Sequence, residues 1–464
     1  MSLKQPDLWF LAALLLITAG GTVMLGQTGA TCPEARHLSY HRHYWQSAFD
    51  ALSASCGVGL LTYSFQEDYT PQGRWILTTL GMAGAALFIA AVAHAARRMQ
   101  PADARVRGPH PLTVVIVFVV VQVVAGSVFL LATGLEHIPE NSWRAIAAFS
   151  SLGWGTEVVV GQEEAAVTAW PLALLAWIGA LGWPVWLLVV PRLGRSGQRE
   201  SLPFPLPRLG RSLALPCGSY TLMLLLAALL ISAFESPRGL SGRGQPGNTL
   251  SDQPWATRYV RSLVQTAAAS GAGMPTESLA ESDTSDGTKF TLSALLLIGG
   301  LGGSATGGVQ WTLLLCALAG GAAALGWSAK DGTATHVHRW MHAGLACLLL
   351  LVLLALTVAA GMLLIENWTA SRYQPPPSFA DVLLDASSVV AGGNLSSGLT
   401  EAVTSRNLLS GIRQSADLYQ YGMAWLMLAM LAGRMLPLVV LRRLGDTRPA
   451  PRESSSGAAQ ADSI

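Results

Sequence analysis

The residues in this chain with the most chemistry to offer lie in four short glycine-containing stretches. They read Ser55-Cys56-Gly57-Val58-Gly59-Leu60, Leu152-Gly153-Trp154-Gly155-Thr156, Ser270-Gly271-Ala272-Gly273-Met274 and Val390-Ala391-Gly392-Gly393-Asn394. Glycine permits unusual backbone dihedrals and close approach without a side chain in the way. Backbone carbonyls freed at such a break can be aimed at a dehydrated cation. The candidate ion-pathway residues are therefore Cys56, Gly57, Val58, Gly59, Gly153, Trp154, Gly155, Gly271, Ala272, Gly273, Gly392 and Gly393. A single glycine pair is explained more simply by close helix packing in a membrane. Four pairs at matching points of a repeated pattern favour a shared path.

Other chemistries find less support. The clusters His37, His41, His43 and His336, His338, His342 suit polar interfacial loops better than a metal site, and the five cysteines form no CxxC or Cys/His ligand spacing. No P-loop, nucleophile elbow, H-E-x-x-H or paired-carboxylate motif occurs in a supporting context. Ser304-Ala305-Thr306 has no base with a specified position near it. These observations argue against an enzyme and imply no cofactor. Basic residues are not interleaved with aromatics in the manner of a nucleic-acid groove, so no nucleic-acid partner is expected.

The elements that must position the glycine stretches are apolar helices. The chain is 51% hydrophobic and 12% charged over 464 residues, whereas soluble domains carry roughly 25% charged residues. Runs long enough to cross a bilayer cover Leu8–Leu25, Ile76–Ala96, Leu112–Ala132, Leu172–Val190, Leu213–Ala233, Trp311–Trp327, Ala343–Ile365 and Tyr421–Val440. The first is read as a retained helix, because its apolar core exceeds that of a signal peptide. Between successive pairs lie stretches too short to span: Tyr44–Leu61, Ser142–Val160, Arg258–Met274 and Phe379–Leu395.

The expected fold is an all-α polytopic membrane protein. It has four pseudo-symmetric helix–re-entrant pore helix–helix repeats around a central pore, with eight spanning helices. With Gly59, Gly155, Gly273 and Gly393 as markers, the repeats are spaced 96, 118 and 120 residues apart, as when one packing solution is reused about an axis. They cover approximately 8–98, 111–191, 212–327 and 342–443, inside one transmembrane domain of residues 1–445. A disordered cytoplasmic tail at 446–464 follows. Loops rich in Lys and Arg, such as the one holding Arg97, Arg98, Arg105 and Arg107, place both termini in the cytoplasm. Acids Glu67, Asp68, Glu157, Glu163 and Glu164 fall where an outer mouth would focus cations. Asp50 and Asp385 occupy similar places in the first and fourth short helices and are expected to tie them to neighbouring groups.

The four short segments, the run Ile298-Gly299-Gly300-Leu301-Gly302-Gly303-Ser304-Ala305-Thr306-Gly307-Gly308-Val309 and the motif Leu431-Ala432-Gly433-Arg434-Met435-Leu436-Pro437 together resemble the Trk/Ktr/HKT superfamily of potassium transporters. The resemblance covers about residues 8–445. It implies transport of a monovalent cation, with potassium first and sodium second, as the transported ligand and no other cofactor. It also implies a gate made by Gly302, Gly303, Ser304, Ala305, Thr306, Gly307 and Gly308 with Arg434 beneath the glycine stretches. The bilayer of a bacterial inner (plasma) membrane, a homodimer, and a cytoplasmic nucleotide-binding regulatory ring or other membrane-complex subunits are the implied surroundings. The bulky Trp154 and the non-equivalent glycine stretches depart from the family pattern. They leave a second expectation, a non-conducting structural or assembly subunit built on the same scaffold.

Overall fold

The computed structural model describes residues 5–27, 29–32, 40–63, 65, 68–99, 110–133, 138–154, 163–193, 214–236, 250–276, 279, 284–324, 334–369, 377–397 and 416–446. Its helices are α1 (Gln5–Leu25), α2 (Tyr40–Ser55), α3 (Pro71–Met99), α4 (Pro111–Thr133), α5 (Ile138–Phe149), α6 (Glu163–Leu193) and α7 (Ala214–Phe234), followed by α8 (Trp255–Ala272), α9 (Asp286–Ile298), α10 (Trp311–Ala324), α11 (Ala334–Thr369), α12 (Phe379–Ala391) and α13 (Ala416–Asp446). No β-sheet occurs among the described residues; Thr31 and Tyr69 form an isolated antiparallel bridge.

Seven of these helices (α1, α3, α4, α6, α7, α11 and α13) are long and apolar enough to cross a membrane. The eighth expected span, Trp311–Trp327, is not among them. Its described part is α10, 14 residues long, and α9 before it has 13. The apolar run from Phe290 is thus divided by the glycine-rich segment 299–310, whose residues cannot sustain a helix through that many glycines. Of the expected tail, Asp446 is the last residue of α13 and 447–464 lie outside the described residues.

Side chains are sorted as a lipid solvent requires. Large apolar residues such as Leu16, Val123, Leu131, Leu349 and Leu428 are exposed, whereas Asp50, Lys289, Asp381, Asp385 and Arg434 are buried. Charge at membrane depth is expensive unless it faces the protein interior and finds partners. The chain is therefore an all-α polytopic membrane protein.

The short helices α2, α5, α8 and α12 do not pack only on their sequence neighbours. Besides the long helix that precedes each one, α5 touches α3, α8 touches α6, α12 touches α9, and α2 touches α13 at the far end of the chain. Each short helix therefore lies against a helix from the preceding quarter of the sequence, and the α2–α13 contact closes the circle.

One of these contacts is electrostatic. Lys289 of α9 forms an ion pair with Asp381 of α12, and both are buried. The Asp381 side chain also accepts from the Ser378 backbone N–H, completing a capping box at the start of α12. Removing one member of a buried pair leaves the other charge uncompensated, at a cost of about 3–5 kcal/mol. Lys289→Met is accordingly expected to lower thermal stability in detergent sharply. Lys289→Met with Asp381→Leu should recover part of it, short of full recovery because the cap is lost. A melting curve on the two variants and the parent checks this.

Candidate functional site

Each short helix ends at a left-handed corner. The residues are Gly57 (φ 65°), Ser151 (φ 62°), Gly273 (φ 64°) and Gly392 (φ 78°). The amide after each corner folds back on the helix: Val58 N–H donates to Ser53 O at 2.9 Å, Leu152 to Ala147 O at 2.9 Å, Met274 to Ala268 O at 3.2 Å and Gly393 to Ser388 O at 3.0 Å. This is the usual way a helix stops at a left-handed residue. Glycine suits the position because it has no Cβ to clash; Ser151 holds it against a strain on the order of 1–3 kcal/mol. The corners thus align Gly57, Ser151, Gly273 and Gly392. That register is offset from the markers Gly59, Gly155 and Gly393, and Gly155 lies outside the described residues.

The four corners meet. A Cβ built on Gly57 would sit 3.7 Å from Ser151 O, and one on Gly153 would sit 3.0 Å from both Ala272 O and Gly273 O. One on Gly273 would sit 2.7 Å from Asn394 N, and one on Gly392 would sit 3.0 Å from Gly57 O. The contacts run from the first corner to the second, third and fourth and back to the first. Two hydrogen bonds tie the ring: Asn394 N–H donates to Gly273 O at 2.9 Å, and Asn394 Nδ2 donates to Gly153 O at 3.2 Å. Gly271 and Ala272, also candidates, are the last residues of α8 and are buried.

Beyond three of the corners the chain is clamped to its own short helix. Asp50 accepts from Thr62 N at 2.7 Å and Thr62 Oγ1 at 2.8 Å, and from the Tyr69 hydroxyl. Gln265 Oε1 accepts from Thr276 N at 2.7 Å and from the Thr276 hydroxyl. Asp385 accepts from Ser397 N at 2.6 Å, Ser397 Oγ at 3.0 Å and Ser396 Oγ at 2.9 Å. An acceptor in the helix and an amide-plus-hydroxyl pair on the returning strand recur in each case. Of the neighbouring groups expected from the sequence, Asp50 and Asp385 take backbone amides and hydroxyls; Gln265 was missed because an amide carries no charge to draw attention. The corresponding stretch after Ser151, including Thr156, lies outside the described residues.

The side chains of Trp154, Cys56 and Val58 leave the ring outward. The Trp154 ring stacks on Phe65 with centroids 5.8 Å apart, in an apolar cluster with Tyr63, Trp143 and Leu152. Cys56 and Val58 pack into the largest buried cluster. Of the outer acids, Asp68 is buried and its backbone O accepts from Cys32 N at 2.8 Å. Glu67, Glu157 and the side chains of Glu163 and Glu164 lie outside the described residues.

Arg434, buried in α13, lies against the ring. A Cβ on Gly57 would be 2.9 Å from its Nη2, and one on Gly392 would be 3.6 Å from Nη1. Its guanidinium carbon stands 3.9 Å from the centre of the Phe88 ring, a cation–π distance. Nη2 donates to Ala305 O at 2.8 Å, while Nε and Nη1 have no hydrogen-bond partner. Ala305 belongs to the segment 299–310, of which Leu301–Gln310 are buried. That segment is knitted internally and to α6. Gly300 N–H donates to Thr306 Oγ1 at 2.8 Å and Gly302 N–H to Thr312 Oγ1 at 2.9 Å. Leu301 N–H donates to Ala180 O at 2.8 Å, and Trp183 N–H to Gly303 O at 3.2 Å. α6 itself is broken at Gly182 (φ 74°), where a Cβ would meet Ser304 N at 2.7 Å. Arg434 and Gly302–Gly308 are therefore in one place, between the corners and α6. Among the described residues no group of three or more His, Cys, Asp or Glu side chains could hold a metal ion.

This arrangement defines a class: a polytopic all-α membrane fold whose short helices end at converging corners. The particular likeness is to the crystal structure of the potassium transporter TrkH from Vibrio parahaemolyticus. The two superpose with a TM-score of 0.63 at 15% sequence identity, over 94% of this chain and 84% of that one. No protein-family model matches the chain, and no curated protein sequence does.

The clamps generate a direct expectation. Asp385→Ala leaves the half-buried Ser397 amide without its acceptor, a loss of about 1 kcal/mol. Amide hydrogen exchange at Ser397 should accelerate, and the melting temperature should fall. Asp385→Asn, which keeps an accepting oxygen, should fall less.

Proposed function

We propose that this protein carries a monovalent cation, with potassium the first candidate, across the membrane through the ring of corners, with Gly302–Gly308 and Arg434 as the gate beneath it. The observation that carries this reading is the closed ring itself. Four unwound backbone segments from distant parts of the chain converge where the low-dielectric surroundings demand a partner for every carbonyl, and a partly dehydrated cation is such a partner. The TrkH-like fold supports the same reading. In it the four short helices are re-entrant pore helices, the helices α9 and α10 with their glycine break stand for the eighth span, and potassium or sodium is cargo. The membrane is then a bacterial inner membrane with both termini cytoplasmic, and a homodimer or a cytoplasmic nucleotide-binding ring would dock on that side.

Arg434 fits a gate on electrostatic grounds. A buried cation with no acidic hydrogen-bond or ion-pair partner among the described residues repels an ion leaving the ring. Its bond to Ala305 O would also hold the segment in place while leaving two guanidinium nitrogens free to form other bonds.

One observation favours a second reading, a non-conducting scaffold subunit. Carbonyls of the ring at Gly153 and Gly273 already accept hydrogen bonds from Asn394. Flux measurements on purified protein in liposomes under potassium or sodium gradients decide between the two. Transport predicts flux above that of empty vesicles, abolished by Gly273→Asp, which would drive a charged side chain into the ring at a left-handed position. Arg434→Gln should raise flux by about tenfold, the order expected when a hydrogen bond to a charged group is lost. Flux equal to that of empty vesicles for both ions in every variant would sink transport and leave the scaffold reading.

A further inference from the structure

Asn394 stands out within the ring because it addresses three other quarters of the chain. Its backbone N–H donates to Gly273 O at 2.9 Å. Its side-chain Nδ2 donates to Gly153 O at 3.2 Å, between residues 241 apart in sequence. Its Cβ is the atom that a Cβ built on Gly59 would meet at 3.3 Å and one on Gly153 at 2.6 Å. The amide orientation follows from chemistry: Gly153 O can only accept, so the carboxamide must present its NH2 there. The side chain thus lies across the ring, from the fourth corner to the second.

A cation bound by backbone oxygens needs their lone pairs. Each N–H that Asn394 supplies competes for one of those oxygens, and the NH2 group carries the positive end of the amide dipole to the point where an ion would sit. We propose that the Asn394 carboxamide is a tethered competitor for the cation, and that its displacement sets which ions occupy the ring and how tightly. This rests on the reading of the ring as an ion path and adds a specificity-determining side chain to it. The position is peculiar to the fourth corner. At the same distance past the first corner stands Gly59, and past the second stands Gly153, neither of which has a side chain to insert. Past the third stands Pro275, which has no N–H to donate.

The side chain also explains how unlike corners close into one ring. Asn394 bonds the second and third corners at once, so the fourth strand is held by donors rather than by a further glycine turn. A cation entering would replace the Nδ2–Gly153 hydrogen bond with ion–dipole contacts, and the amide oxygen, released as the side chain turns, could itself become a ligand. A smaller, more strongly hydrated ion and a larger, more readily dehydrated one would meet this competition differently.

The test compares wild type, Asn394→Ala and Asn394→Asp, each shown to be monodisperse on size exclusion. Two readouts are taken: melting-temperature shifts in potassium, sodium and rubidium chloride against choline chloride at equal ionic strength, and liposome flux of the same cations. Asn394→Ala removes the competing donor. It is expected to tighten cation-dependent stabilisation by about three- to tenfold in half-saturating concentration, the order of one net hydrogen bond, and to narrow the difference between the cations. Asn394→Asp cannot donate to Gly153 O at neutral pH and adds a carboxylate, so its stabilisation by cations should be the strongest of the three. Unchanged half-saturation and unchanged ion order in both variants overturn the role of Asn394, whether or not the protein conducts. Cation-dependent stabilisation that tightens in the variants without flux in any of them upholds Asn394 and overturns conduction. Absence of both effects in all three proteins overturns both.

Discussion

Every unusual feature of this molecule answers one constraint: backbone that leaves the helix inside a membrane protein must find its own hydrogen-bond partners, because lipid offers none. The chain leaves the helix at four corners, at the kink of α6 and through residues 299–310. At each corner the freed amide turns back to the helix it has just left. In the long break the hydroxyls of Thr306 and Thr312 and the carbonyl of Ala180 take over. Within the ring, the carbonyls of Gly153 and Gly273 take the two donors of Asn394, so the same constraint that shapes the corners also ties them to one another.

Charges inside the protein obey the same rule in a second form. Arg258 is buried with its guanidinium among the carbonyls of Leu250, Ser232, Ser251 and Gln253. Glu235 takes the Ser285 amide and the hydroxyls of Ser285 and Thr288, fastening α7 to the start of α9. Lys289 and Asp381 neutralise each other. Arg434 differs, since it has one carbonyl and an aromatic face but two nitrogens unsatisfied. The buried Trp154 and Trp183 indole N–H groups also have no hydrogen-bond partner among the described residues; Arg434 differs from them in carrying a charge, which raises the cost of leaving donors unmet.

Much of this was legible before the structure. Hydropathy located the seven long helices because burial in lipid demands long apolar runs with little else in them. Glycine clusters located the breaks, because glycine concentrates where backbone must bend or approach closely. The register of the corners was not legible. Gly57 and Gly59 are both glycines in the left-handed region, so residue type could not tell which one ends the helix, and Ser151 carries no glycine at all. Asn394 was passed over for a related reason: its role comes from a contact with Gly153, far away in sequence, and a lone asparagine after two glycines looks like an ordinary turn. The Trp154 ring could be placed outside only once Phe65 and Trp143 were seen beside it.

The contact between α2 and α13 joins nearly the first helix to the last, and this has a bearing on biogenesis. A chain inserted from its N-terminus, at about 5–20 residues per second, makes Gly153 roughly 10 to 50 s before Asn394 exists to bond it. Throughout that wait the early corners lack the donors that the fourth corner will supply. A nascent chain in this state would need shelter, from the insertion machinery or from provisional contacts among its own helices, until translation delivers α12 and α13.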